Sequence, residues 1–278
     1  MIKNIIGGIA VGIANVIPGV SGGTMMVILG IFDHMMSAIS GVFKVHNPDR
    51  KADILFLLQV LIGAAIGLVG FAKVISFLFD YFQVQTMFWF VGLVGFSIPV
   101  FWKSESKNEK VQWLPLVIGM AIIFLIKFLA PDAAAEINPE FPALSVFYCL
   151  KLILIGMISG AAMLLPGISG SMVLLIIGEY YLFKSLLANV LSFQLIVLVP
   201  LAFIGLGVLL GIILSAKATK FLLEKYHSTT ISLLLGLIIA STLILIPLEA
   251  AYDLPLILSS CFACLFGGCF VWLIERFV

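Results

Sequence analysis

The sequence predicts an all-α polytopic membrane protein made of two inverted-topology repeats, each a re-entrant helical hairpin followed by three transmembrane helices. Three observations predict it. The composition is far too apolar for a soluble chain, a ten-residue motif with a helix-breaking Pro-Gly occurs twice, and the basic residues fall on one side of the membrane under a single arrangement of the apolar runs.

Of 278 residues, 63% are hydrophobic and 10% charged, with mean hydropathy +1.26. A soluble domain carries roughly 25% charged residues because its surface must be polar. The net charge of +1 gives no reason to expect a nucleic-acid partner. Four cysteines, Cys149, Cys261, Cys264 and Cys269, lie in apolar runs. Cys261 and Cys264 have the spacing of a redox or metal pair, but no second pair or nearby histidine completes a site. They read as small buried residues, and no metal or cofactor is expected. The first ~30 residues superficially fit a secretion signal, yet they contain the first copy of the repeat and so belong to the fold.

Residues 15–24, NVIPGVSGGT, return 148 positions later at 163–172 as MLLPGISGSM. The same offset relates Lys3, Gly8, Gly12, Ala14, Pro18, Gly19, Ser21, Gly22, Gly30 and Ser37 to identical residues in the second half. After a four-residue deletion the offset becomes 144, pairing Gly67 with Gly211, Ala72-Lys73 with Ala216-Lys217, Asp80 with Glu224, Thr86 with Thr230 and Gly92 with Gly236. Such self-similarity marks a duplicated unit of roughly 140 residues, dividing the chain into 1–143 and 144–278.

Apolar runs at about 54–79, 85–102, 111–130, 193–216, 229–248 and 254–275 are each near the length that crosses a bilayer core. The motif lies in two further runs, about 4–43 and 144–191, each interrupted near its middle. Only 13 residues, Ile5 to Ile17, precede the first break, about 20 Å of helix against a core of about 30 Å. The first arm therefore stops near mid-membrane and turns back. The second arm is long enough to span, so charge placement decides. If both runs are hairpins and both termini are cytoplasmic, the inside collects Lys3, Lys44, Arg50, Lys51, Lys103, Lys107, Lys110, Lys217, Lys220, Lys225 and Arg276 out of fifteen basic residues. The outer loops then hold Asp80, Asp132, Glu136, Glu140, Glu249 and Asp253, with Lys184 as their only basic residue. A simple second span would put the cluster at 217, 220 and 225 outside, against the positive-inside rule. One hairpin plus three spans is an odd number of crossings, so the second unit starts from the opposite face. Inverted repeats with broken helices are a recurrent design of secondary transporters.

Interrupted helix at membrane depth frees amide and carbonyl groups, and persists only where protein or a polar cavity surrounds it. In both copies proline (Pro18, Pro166) ends the incoming arm and Ser-Gly-Gly or Ser-Gly-Ser opens the outgoing one. The first N–H groups of that outgoing arm, at the positive end of its dipole, suit an anion. Ser21, Thr24, Ser169 and Ser171 add hydroxyls, Asn15 an amide, and glycines at Gly19, Gly22, Gly23, Gly167 and Gly170 allow close approach. The alternative for these small residues is tight helix packing, which is common in membranes. Lysines within the apolar runs follow the internal symmetry: Lys3 and Lys217 toward the inner face, their mates Lys151 and Lys73 toward the outer. Each is able to snorkel, and together they can attract an anionic head group on either side. Asp33, His34 and Glu179, about ten residues beyond the breaks, are candidates for a coupled proton, or are simply solvated near the interface.

The pair NVIPGVSGGT and LLPGISGSMVLLIIGEYY resembles the bacterial polyprenyl-phosphate transporter family over essentially the whole chain. The resemblance implies a bacterial cytoplasmic-membrane flippase that returns undecaprenyl phosphate from the outer to the inner leaflet for carrier-lipid recycling, with the motif residues as the phosphate site. Its partner would be the polyprenyl phosphate lipid within the bilayer. Met163 stands where the first copy has Asn15, so the amide acts from one side only. A transporter of a small soluble anion would use the same breaks. A lipid-phosphate-processing enzyme is disfavoured, because no phosphatase constellation or Walker loop is present and the histidines, His34, His46 and His227, are scattered.

Overall fold

The computed structural model describes residues 2–16, 21–42, 44, 46–106, 109–129, 142–189 and 192–277. Of the predicted site residues, Pro18 and Gly19 lie outside these, as does the side chain of Lys73. The described residues form eleven α-helices and no strand: α1 (Ile2–Val16), α2 (Gly22–Ile28), α3 (Phe32–Val42), α4 (Arg50–Glu105), α5 (Trp113–Leu129), α6 (Val146–Leu164), α7 (Gly170–Ile177), α8 (Tyr180–Ala188), α9 (Leu195–Lys225), α10 (His227–Ile244) and α11 (Leu254–Phe277).

Six segments are long and apolar enough to cross a membrane: Arg50–Phe71, Phe77–Lys103, Val146–Leu164, Leu195–Lys225, His227–Ile244 and Leu254–Trp272. Large apolar side chains such as Leu61, Val69, Phe147, Leu209 and Phe262 stand exposed on them, as expected of a surface whose solvent is lipid. The protein is therefore a multi-pass helical membrane protein.

Several boundaries differ from the sequence reading. The predicted runs 54–79 and 85–102 are two separate spans, as predicted, but they meet directly within α4 at a kink at Phe82 (φ −138°, ψ 41°). No glycine or proline lies between residues 80 and 86, so helical bonding resumes at once. Across the kink Thr86 Oγ1 donates to the Leu78 carbonyl at 3.3 Å, although eight residues of straight helix would separate them by about 12 Å. The same conformation recurs 144 residues on, at Tyr226 between α9 and α10 (φ −131°, ψ 51°). Helix α9 continues past the predicted end at 216 to Lys225, so Lys217, Lys220 and Lys225 ride on its last turns. Helix α10 stops at Ile244, short of Pro247, whose ring disfavours helix in the residue before it. The predicted run 111–130 gives a 17-residue helix, α5, whereas α6, with 19 residues, is itself long enough to cross.

Helix crossings repeat across the two halves. Gly8 and Gly12 of α1 lie against the backbone of Val60 and Ala64 in α4, and Gly63 and Gly67 against Ile5 and Ile9. In the second half Gly156 and Gly160 of α6 meet Ile204 and Val208 of α9, and Gly207 and Gly211 meet Ile153 and Met157. Each partner is the counterpart of the other at offset 148 or 144. The remaining crossings join the halves: Gly92 of α4 against Cys264 of α11 and Gly267 against Trp89, matched by Gly236 of α10 against Leu116 of α5 and Gly119 against Leu233. Absence of a side chain lets these backbones touch, which is how helices associate in lipid. Gly12→Val is accordingly expected to cost about 1–3 kcal/mol and lower the thermal midpoint by several degrees. Gly205→Ala, with open space around it, should leave the midpoint within about a degree in the same melting experiment.

The two interrupted runs are also built alike. After each Pro-Gly segment comes a short helix, then a bend of 118° between α2 and α3 and of 117° between α7 and α8. The bends contain Gly30 (φ +63°) and Gly178 (φ +83°), which are repeat mates in the left-handed region that glycine enters without strain.

One packing feature breaks the symmetry. Helix α3 packs on α4 and also crosses to α9, whereas its mate α8 packs on α9 with no comparable contact to α4 among the described residues.

Candidate functional site

At each Pro-Gly segment the chain turns back on itself. Gly22 lies against Val11 and Asn15, and its mate Gly170 against Ser159 and Met163. Ser159 Oγ sits 3.1 Å from the Gly170 carbonyl oxygen, to which it donates, although eleven residues of straight helix would span about 16 Å. The two turns meet. Gly23 packs on the carbonyls of Leu164 and Leu165, and the Gly167 N–H is shared between Ser21 Oγ (3.0 Å) and Thr24 Oγ1 (2.8 Å). Gly167 has φ +80° and rests against Leu237 and Ser241 of α10.

The turns use their hydroxyls differently. Ser21 and Thr24 are 3% and 2% exposed. Ser21 Oγ accepts the Thr24 N–H at 3.1 Å, capping α2, and lies 3.0 Å from Thr24 Oγ1 and 3.4 Å from the Leu165 carbonyl. With the Gly167 N–H as well, this oxygen has no capacity left, since a hydroxyl offers one donor and two acceptor sites. Helix α2 is buried throughout. In the second turn Ser169 makes no cap bond; its Oγ pairs with Ser171 Oγ at 2.7 Å, and that pair is exposed. Only Gly170 and Leu174 of α7 are fully buried. So Ser21 and Thr24 are sealed within the protein, and the second turn presents two hydroxyls beside the first N–H groups of α7, which have no intrahelical acceptor.

The other predicted residues divide similarly. Asn15 is exposed at the end of α1, its amide donating to the Val11 carbonyl at 3.0 Å. Lys151 of α6 forms an ion pair with Glu179 at the α7–α8 bend, Nζ to Oε1 2.5 Å. Lys3 and Lys217 are exposed on α1 and α9, away from the meeting turns along their helices. His34 stacks on Phe56 with ring centroids 4.0 Å apart. Asp33 lines a cavity of about 290 Å³ with Met36 and Ser37 of α3, Glu109, Lys220, Leu223 and Glu224 of α9, and His227, where α3 crosses onto α9. Both ring nitrogens of His227 are buried without a hydrogen-bond partner. No group of three or more histidine, cysteine or acidic residues with metal-binding geometry occurs among the described residues.

Sequence reasoning missed Ser97 and Ser241. They are repeat mates at offset 144, both buried, donating to the Val94 and Ile238 carbonyls at 2.7 and 2.9 Å, themselves mates. Ser241 touches Gly167. The signal was present, since two serines in apolar spans hold the same repeat register, but nothing in the sequence placed Ser241 beside the second break.

Paired interruptions in the helices of a multi-pass membrane protein, with a polar turn left accessible, are features shared by membrane transporters built on internal repeats. The profile of the family described as VCA0040-like, undecaprenyl phosphate translocase-like, matches residues 11–256, and the chain belongs to that family. It is 30% identical over 195 residues to a protein of Staphylococcus aureus (strain NCTC 8325 / PS 47) named polyprenyl-phosphate transporter, covering 69% of this chain and 68% of that one. A Vibrio cholerae protein of the same name (serotype O1, strain ATCC 39315 / El Tor Inaba N16961) is 29% identical over 187 residues, 67% of this chain and 55% of that one's length. No solved structure matches.

Proposed function

We propose that this protein moves polyprenyl phosphate, with undecaprenyl phosphate as the physiological lipid, from the outer to the inner leaflet of the bacterial cytoplasmic membrane. The relatives' name supplies the substrate class. The observation that carries the mechanism is the division of labour between the turns: Ser21 and Thr24 hold the joint, and Ser169 and Ser171 on the N-terminus of α7 take the phosphate. A phosphate monoester carries about 1.5–2 negative charges at neutral pH and does not cross hydrocarbon unaided, whereas its prenyl chain is at home there. The protein need only shelter the head group, so a polar turn reached sideways from the lipid suffices, and no catalytic step is required.

In this reading residues 1–143 and 144–278 are inverted repeats, α1–α3 (about 4–43) and α6–α8 (about 144–191) are re-entrant hairpins, and both termini are cytoplasmic. The positive-inside distribution supports the topology. The matched glycine crossings and the twin bends support the duplication. The one-sided contact of α3 with α9 supports alternating access, with the cytoplasmic side closed and the outer side open. Lys73 and Lys151 draw the phosphate from the outer leaflet. Lys3 and Lys217 receive it inside after α3 and α8 exchange roles. Asp33 and His34 line or border the inner closure, where proton coupling would act.

The test is thermal stability in detergent with farnesyl phosphate, farnesol and inorganic phosphate. Ligand that binds only the folded state raises the midpoint, by an amount equivalent to about 2.7 kcal/mol at a hundred times Kd. Stabilisation by farnesyl phosphate alone is expected. Stabilisation by inorganic phosphate alone would make the protein a soluble-anion transporter, and release of inorganic phosphate from the lipid would make it an enzyme.

A further inference from the structure

We propose that Glu179 is the specificity filter of the outer entrance: its carboxylate occupies Lys151 until an incoming phosphomonoester displaces it, and phosphodiester lipids fail to do so. The inference rests on the transport reading above.

Attraction alone does not select this substrate. A helix N-terminus, two hydroxyls and a lysine recognise any phosphate, and a bacterial membrane presents abundant phosphodiester lipids carrying one negative charge. Discrimination among related ligands is commonly achieved by an element that opposes the wrong one. The Lys151–Glu179 pair is such an element. Lys151 is half exposed (49%) and Glu179 largely enclosed (16%), so the lysine can be approached while the carboxylate is held in place. Its backbone is fixed as well. The Glu179 N–H donates to the Leu174 carbonyl at 2.9 Å, and its own carbonyl accepts the Phe183 N–H at 3.0 Å, pinning it at the bend after Gly178. One turn earlier on α6, Tyr148 is 7% exposed with a hydroxyl that has no hydrogen-bond partner. A polar group in that state calls for an occupant that completes it.

Internal symmetry shows that the pair is an addition to the duplicated fold. The mate of Lys151 is Lys3, but the mate of Glu179 is Ile31. Glu179 therefore belongs to one copy of the repeat, the one whose lysine faces the outer leaflet in the proposed topology. A monoanionic head group arriving there replaces one negative charge with another and leaves Glu179 unpaired beside it in a poorly hydrated site, where an unpaired charge is costly. A dianion attracts Lys151 more strongly than a monoanion does, and so offsets the ion pair it displaces. The inner entrance releases the lipid and needs no such filter.

The experiment compares midpoint shifts produced by farnesyl phosphate and by short-chain phosphatidylglycerol in detergent, for the wild-type chain, Glu179→Gln and Glu179→Asp. In wild type, farnesyl phosphate stabilises and phosphatidylglycerol does not. Glu179→Gln is expected to bind both, the ratio of apparent affinities falling at least about tenfold, and Glu179→Asp, which keeps the charge, to restore selectivity in part. A merely structural pair would lower the ligand-free midpoint of Glu179→Gln without changing that ratio. Unchanged selectivity in Glu179→Gln overturns the filter and leaves the transport reading standing. Failure of farnesyl phosphate to stabilise wild type overturns both.

Discussion

Ser169→Ala combined with Ser171→Ala is expected to weaken prenyl phosphate binding by about two orders of magnitude while moving the ligand-free midpoint by no more than a degree or two. Hydrogen bonds to a charged group contribute about 1.5–3 kcal/mol each, and 1.4 kcal/mol is a tenfold change in affinity. Among the described residues the two hydroxyls bond to each other and are exposed, so the empty protein loses little when they go. Ser21→Ala should do the reverse. Its oxygen serves the Thr24 and Gly167 N–H groups in a buried joint, and leaving buried donors short of partners costs about 1–3 kcal/mol, several degrees of midpoint. Isothermal titration with farnesyl phosphate, paired with melting curves, separates these outcomes. Unaltered affinity in the double alanine variant would remove the second turn from the site. A stability loss confined to Ser169 and Ser171 would show that the roles of the turns had been assigned the wrong way round.

That contrast marks where the sequence was legible and where it was not. Composition and apolar run length predicted the class and most spans, because lipid demands long continuous helices whatever the details of packing. The repeat offsets carried further than motif matching, since Gly92, Gly236, Gly119 and Gly267 make matched crossings that join the halves. Chain reversal near Phe82 and Tyr226 was legible from the polar breaks between apolar runs, but its tightness was not, because neither a glycine nor a proline marks it; what the positions share is a backbone conformation. At the breaks, the motif predicted two equivalent turns. The three-dimensional arrangement makes them unequal, as the hydroxyls of one fill the donors of the other, and a periodic pattern does not say which copy is sealed. The pairing of Lys151 with Glu179 escaped for a related reason: both residues were singled out, the lysine by the repeat and the glutamate as an acid within an apolar run, but the glutamate departs from the repeat and no offset joins the two.

Bridging α3 to α9 is expected to stop transport while leaving binding from the outer side intact. Ser37 of α3 and Leu223 of α9 line the same cavity at the crossing that exists in one half only. In a background with the four cysteines replaced, Ser37→Cys and Leu223→Cys joined by a short bis-maleimide should cut transport in liposomes at least about tenfold, with farnesyl phosphate still raising the midpoint. Each single variant treated with the reagent serves as control. The repeat supplies the complementary experiment. The mates of Ser37 and Leu223 are Ser185 of α8 and Phe79 of α4, and α8 has no comparable contact with α4 in this state. If inner and outer sides exchange conformations, Ser185→Cys and Phe79→Cys should cross-link slowly in the empty protein and faster during turnover, as the population that brings α8 onto α4 grows. Full transport with α3 bridged to α9 would mean that this crossing is a fixed part of the scaffold. A rate of Ser185–Phe79 bridging indifferent to substrate would mean that the asymmetry between the halves is permanent, and the lipid would then have to pass along one static path.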